Sequence, residues 1–260
     1  MSSPQVKILS PQSQLLFVSG WYALARDSHF WMKGRLLALL KQFQRNHIPI
    51  DQPWRGLEIG CGHGVLRSQI ERHTQWTVDG ADLDLNSLKE NPRCRGELYL
   101  YNILERQDIF KEHFDFIILY DVIEHIENVK LFLEASLFHL KDGGYVFINV
   151  PALESLYSNY DKIVGHQRRY DRNMLAQELQ QVGLKVIHIN YWGFVFLPLL
   201  LFRKIFVARD TKEDVVVQKG FSPQHPLANF IFKVMIQSEV ALMPNPVAGT
   251  SVMAIARKES

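Results

Sequence analysis

Leu57-Glu58-Ile59-Gly60-Cys61-Gly62-His63-Gly64 is the stretch on which the fold turns. An apolar run with one acid inside it breaks into three glycines at alternate positions, and Val65, Leu66 and Ile70 then recur at helical spacing. The pattern predicts strand, tight turn and helix, with glycines where the backbone takes positive φ and comes close to a ligand. Spacing separates the nucleotide folds that use such turns. A dinucleotide fingerprint needs glycine where this chain has Val65, and a P-loop needs G-K-[ST] where it has His63-Gly64-Val65. Glu58 would repel a pyrophosphate beside the loop and attract an ammonium group. The alternative is an ordinary glycine turn in a parallel sheet.

Composition bounds the rest. The 260 residues suit one α/β domain with additions, and 47% hydrophobic residues supply a sizeable core. A net charge of +2 gives no reason to expect nucleic acid. The two cysteines, Cys61 and Cys94, lie apart; no disulfide framework or Cys/His metal cluster is legible, and no metal is expected. The polar N-terminus lacks a signal-peptide core, so a cytoplasmic location is expected. The longest apolar run, Phe194 to Phe202, contains Pro198 and is far short of the roughly 20 residues of a spanning helix.

Working outward, Trp76 to Asp82 is a β-rich run closed by an acid about 20 residues beyond the glycines, where a ribose partner is expected. Leu83 follows it, and Asp84 caps a helix starting near Leu85. Glu97 to Ile103 looks like a third strand, with Asn102 and Ile103 placed for an adenine ring. Phe114 to Tyr120 is apolar throughout, as in a buried parallel strand, and leads into Asp121-Val122-Ile123-Glu124-His125. A helical stripe from Val129 to Leu140 precedes Gly143-Gly144 and a strand over Tyr145 to Val150. Leu175, Leu179 and Val182 lie on a helix ended by Gly183; Leu184 to Tyr191 and Ser251 to Arg257 read as strands. Alternating strands and helices give a doubly wound α/β sheet.

Before the glycine loop, Tyr22 to Arg26 and Leu36 to Phe43 look helical, with Ser28-His29-Phe30-Trp31 and Arg35 crowded near them. The arginine suits a ligand carboxylate and the aromatics a lid; plain packing on the sheet is the competing explanation. The division expected is a helical lid over 1–50 and a catalytic domain over 51–260, with a helical insertion at about 193–246. In that insertion Leu227, Phe230, Ile231, Val234 and Leu242 form an apolar stripe that either covers Phe194 to Phe202 or, with 194–206, makes a peripheral membrane contact.

A ligand with a nucleoside at one end and a cationic amino-acid group at the other meets the demands of the glycine loop and Glu58, and S-adenosylmethionine is such a ligand. The segment resembles motif I of the class I S-adenosylmethionine-dependent methyltransferases. With Gly80-Ala81-Asp82, Tyr120 to His125 and the Gly143-Gly144 turn, the resemblance covers roughly residues 50 to 192. It implies a Rossmann-like sheet of seven mostly parallel strands, the last antiparallel beside its predecessor. It places Arg35, Glu58, Gly60, Cys61, Gly62, Gly64, Asp82, Leu83, Asn102, Ile103, Tyr120 and Asp121 at the cofactor. A narrower likeness rests on Ser28-His29-Phe30-Trp31 with Arg35, Gly165-His166-Gln167-Arg168-Arg169-Tyr170 and Gly249-Thr250-Ser251. It points to a bacterial subgroup often grouped with glycan and lipid-linked sugar enzymes, and leaves the acceptor open.

Methyl transfer needs alignment, a dry site and, for a hydroxyl acceptor, a base. His125 and His166 are the candidates, with orientation of the loop as the competing role for His125. Trp31, Tyr160, Arg168, Arg169 and Tyr170 are the candidate acceptor-binding residues; a solvated basic turn is the alternative for 166–170. The expected acceptor is a small molecule, a glycan or a lipid-linked compound. A catalytically silent cofactor-binding scaffold is the rival reading.

Overall fold

The computed structural model describes residues 4–12, 27–207 and 226–259. Its sheet has eight strands: β1 (Val6–Ile8), β2 (Arg55–Ile59), β3 (Thr77–Asp82), β4 (Leu98–Leu100), β5 (Phe114–Tyr120), β6 (Leu140–Pro151), β7 (Leu184–Trp192) and β8 (Ser251–Lys258). They run in the order β1-β4-β3-β2-β5-β6-β8-β7. β8 is antiparallel to both β6 and β7, and the other pairings are parallel. The eighth strand is β1, added parallel to β4 at the edge. Strand order reverses at β2 and β5, which opens a crevice beyond their carboxyl ends.

Alternation along β5 divides the core. Ile117 and Leu119 face Val129, Phe132 and Leu133 of α4 (Val129–Phe138) and Leu175 and Leu179 of α6 (Arg172–Gln181). Phe116, Ile118 and Tyr120 face the opposite layer, built from α1 (Phe30–Arg45), α2 (Val65–His73) and α8 (Pro226–Leu242). Trp76 anchors that layer, its ring 4.5 Å from Phe116 and 5.1 Å from Phe43. The remaining α-helices among the described residues are α3 (Leu85–Lys89), α5 (Asn159–Ile163) and α7 (Leu197–Val207).

The sequence reading needs three corrections here. Phe30 and Trp31 are not a link between helices but the first turn of α1, because His29 caps it by accepting the Trp31 N–H. Only Leu98–Leu100 form the third strand; Asn102 leaves it to cap a 3-10 turn. In α8 the expected covering stripe faces outward, with Phe230 61% exposed, while Phe232, Ile236 and Val240 pack inward. The expected helix at Tyr22 to Arg26 lies outside the described residues.

The insertion is fastened by a carboxylate. Buried Glu239 of α8 accepts the Gly193 N–H at 2.6 Å and the Val195 N–H at 2.9 Å, where the chain leaves β7. Glu239→Ala strands two backbone donors and is expected to cost about 2–4 kcal/mol of stability, read by urea unfolding.

Candidate active site

The site is built from the loops beyond β2 and β5. Gly60, Gly62 and Gly64 all have positive φ. A Cβ at Gly64 would stand 1.8 Å from Asn91 Oδ1, and one at Gly60 2.8 Å from Val122. The loop is gripped from behind: Asp82 Oδ2 accepts the Gly62 N–H at 2.7 Å and its Oδ1 the Asp84 N–H at 2.9 Å. Gly64 offers no side-chain cap to α2, so Glu58 supplies one from β2, accepting the Arg67 N–H at 2.9 Å. Burial pushes the Glu58 carboxyl up to about 7, against the pull of Arg35 and Arg67. Burial raises the Cys61 thiol well above its ordinary range, so Cys61 is a packing residue.

On the β5 side Asp121 holds a positive φ of 58°. Its N–H donates to the Asn149 carbonyl, its Oδ1 accepts from Asn149 Nδ2 at 2.7 Å, and its Oδ2 pairs with Arg35 Nη1 at 2.6 Å. Asn149 in turn accepts from Trp192 Nε1, and Trp192 stacks on Trp31 at 4.5 Å. Thus α1, β5, β6 and β7 are tied together under the cavity. Arg35 Nε and Tyr120 OH are buried without a hydrogen-bond partner.

A cavity of about 250 Å³ opens here. Arg35, Glu58, Gly60, Cys61, Gly62, Tyr120 and Asp121 line its cofactor side, and Trp31, Tyr160, His125 and His166 line the other. Asp82 and Gly64 stand behind the loop. Leu83, Asn102 and Ile103 do not line the cavity: Asn102 caps its own turn and Ile103 packs in the core.

The acceptor-side segment is rearranged relative to expectation. Arg169 is buried and holds Asp161 through Nε at 2.8 Å and the Ala152 carbonyl through Nη1 at 3.0 Å, so it braces the loop even where it borders the cavity. Arg168 points to a separate surface groove, bonded to the carbonyls of Ile126 and Glu127. Tyr170 is wholly buried in the core beside Leu175 and Leu179. His166 stays at the cavity, its Nδ1 2.9 Å from Asp161 Oδ1. Asp161 lies well below the usual carboxylate range, because the bonds from His166 and Arg169 outweigh its burial. His125 packs edge-on against His166, and burial with that neighbour brings it down to about 4. Phe30, read as one of the lid aromatics, lines the cavity; sequence reasoning missed Phe196, Leu199, Leu200 and Thr250. No motif marks the leucines; Thr250 sat in a quoted motif without a role.

The doubly wound sheet with β8 antiparallel between β6 and β7, the glycine loop after β2 and the acid closing β3 define the class I fold that binds S-adenosylmethionine. The chain belongs to the methyltransferase domain family, which it matches over residues 25–189. Among curated proteins it is similar to the mitochondrial ubiquinone biosynthesis O-methyltransferase of Candida albicans, 29% identical over 119 residues, 42% of this chain and 36% of that protein. The Agrobacterium fabrum ubiquinone biosynthesis O-methyltransferase is 31% identical over 115 residues, 41% of this chain and 45% of that one. The chain thus matches less than half the length of these relatives. Among solved structures, Haemonchus contortus phosphoethanolamine N-methyltransferase 2 in complex with S-adenosyl-L-methionine aligns with TM-score 0.58 and 19% identity, over 94% of this chain and 61% of that one. The [4+2]-cyclase SpnF aligns with TM-score 0.57 and 16% identity, over 87% and 80%.

S-adenosylmethionine is the cofactor, and the site fits it: a glycine cradle, an unpartnered buried Arg35 Nε for a carboxylate and a buried Glu58 for an ammonium. Since Glu58 is held up to about 7, the free protein carries its proton below that pH, and an adjacent ammonium favours the charged form. Binding is therefore expected to release about half a proton near pH 7 and to strengthen as pH rises through 7. Calorimetry in buffers of differing ionisation enthalpy measures the release, and Glu58→Gln should abolish it.

Proposed function

We propose that the protein methylates an oxygen of a small acceptor that carries an apolar portion. The observation that carries this is the Asp161–His166 pair: Asp161 holds His166 Nδ1 at 2.9 Å, which leaves Nε2 as the nitrogen that takes a proton at the cavity. A hydroxyl acceptor has a proton to lose as it is methylated; a neutral amine can lose its proton after transfer without a positioned base. Support for oxygen also comes from the curated relatives, named as O-methyltransferases.

S-adenosylmethionine supplies the electrophilic methyl group when bound. Glu58 holds the ammonium and Arg35 the carboxylate. Asp82, at the carboxyl end of β3, takes the ribose hydroxyls, and the loop from Gly60 to Gly64 lets the backbone approach. Trp31, Phe30, Phe196, Leu199 and Leu200 wall the acceptor side and exclude water. Tyr160 completes that wall. His166→Asn is expected to lower turnover by about 10²–10⁴-fold with cofactor affinity unchanged, read by transfer of labelled methyl to fractionated phenols, alcohols and amines. Label appearing only on amines overturns the oxygen reading, and no label on any acceptor despite tight cofactor binding favours a silent module.

The apolar wall continues to the surface. Leu199 both lines the cavity and is exposed, and Leu201, Phe202, Leu227 and Phe230 are exposed on α7 and α8. No helix among the described residues is long and apolar enough to cross a membrane. This path suits a lipid-linked acceptor met at a membrane surface, with α7 and α8 as the peripheral contact. Flotation with anionic phospholipid vesicles is expected to carry the wild-type protein and to lose Phe202→Glu/Phe230→Glu. Failure of the wild type to float returns the acceptor to a freely soluble small molecule or glycan.

A further inference from the structure

Glu124 is wholly buried, at 0% exposure, yet among the described residues neither of its carboxylate oxygens has a hydrogen-bond partner. Its side chain borders the cavity. Buried carboxylates are ordinarily paired, hydrogen-bonded or bound to a metal, so an orphaned one calls for a missing partner. Burial, with Asp121 nearby, raises its affinity for a proton well above the ordinary carboxylate's.

Two imidazoles meet it. The ligand atoms offered by Glu124, His125 and His166 all lie within 4.8 Å of one another, and His166 Nε2 is 3.9 Å from Glu124 Oε1. Each ring has its other nitrogen engaged: His166 Nδ1 with Asp161 Oδ1 at 2.9 Å, His125 Nδ1 with the Gly165 carbonyl at 3.2 Å. In the tautomer that donates from Nδ1, the lone pair of each ring is on Nε2. A carboxylate or carbonyl behind an imidazole in this way orients metal-ligating histidines and strengthens them as donors.

We propose that Glu124, His125 and His166 form a binding site for a divalent transition-metal cation of the Zn²⁺ type, open toward the cavity. Two imidazoles and one carboxylate with a vacant position suit Zn²⁺ or Co²⁺; Mg²⁺ and Ca²⁺ prefer oxygen donors throughout. Donor atoms around a tetrahedral Zn²⁺ stand about 3.4 Å apart, so the three side chains close inward as the cation enters. Neither cysteine takes part. The vacant position faces the acceptor side, where an oxygen ligand would complete the shell. The site rests on its own geometry and not on the acceptor reading; a cation competes with a proton for the same His166 lone pair.

The test uses the full chain, stripped with a chelator and titrated with Zn²⁺ by calorimetry at constant pH, with Co²⁺ absorption reporting tetrahedral geometry. One equivalent is expected to bind with Kd below roughly 10 μM. Glu124→Gln and His166→Asn should each weaken it about tenfold or more. Glu124→Gln removes the ligating carboxylate while keeping the side chain's shape, and it decides the matter alone if His166→Asn does not fold. Absence of such binding in the wild type, or wild-type affinity in the variants, overturns the proposal. Stripped protein that takes up no Zn²⁺ yet methylates hydroxyl acceptors refutes the cation site alone; tight Zn²⁺ uptake by a protein that turns over no hydroxyl acceptor either stripped or loaded refutes the oxygen reading alone.

Discussion

Two backbone N–H groups, each held by a buried carboxylate, keep the glycine loop in place. Gly62 donates to Asp82 and Arg67 to Glu58. A loop with three positive-φ glycines has a high conformational entropy to lose, and its last glycine cannot cap the helix that follows. Adjacent strands supply what the loop lacks. The arrangement gives Glu58 two tasks. It caps α2 from outside the helix, and its side chain lines the cavity. Burial works against a charge on Glu58, and Arg35 and Arg67 offset only part of that cost.

The sheet was legible where the pattern was long and local. β5 runs over Phe114–Tyr120 as read, the glycine turn lies between β2 and α2, and Asp84 caps α3. What escaped had no local signature. β1 is three residues that become a strand only by lying beside β4. Residues 28–31 looked like a link because α1 begins on a histidine cap, a rare capping residue. In α8 the sequence holds apolar residues on more than one face, so periodicity left open which face the rest of the chain would claim.

The candidate site was legible in residue type more than in direction. Arg168 and Arg169 are neighbours in sequence and point to opposite sides of the loop, one to a surface groove and one to Asp161. Tyr170 then enters the core. Asp161 explains the pattern. It takes bonds from His166, Arg169 and Ser158, while Arg169 reaches the Ala152 carbonyl at the end of the sheet. The loop is thereby referenced to the sheet, and His166 inherits a fixed position relative to the cofactor side. Asp161 was invisible as a functional residue because nothing in the sequence near it distinguishes a hub from a capping-box acid.

The cofactor half and the acceptor half of the cavity come from different parts of the chain. Glu58, the glycine loop, Tyr120 and Asp121 lie at the carboxyl ends of β2 and β5, within the region matched by the methyltransferase domain family. Phe196, Leu199, Leu200 and Thr250 lie beyond residue 189, where that match ends. Structures aligned over most of this chain include a cyclase and an N-methyltransferase. One sheet architecture therefore serves different chemistries. In this chain the acceptor-side wall is aromatic and aliphatic beside a corner made of buried Glu124 and half-buried His125 and His166.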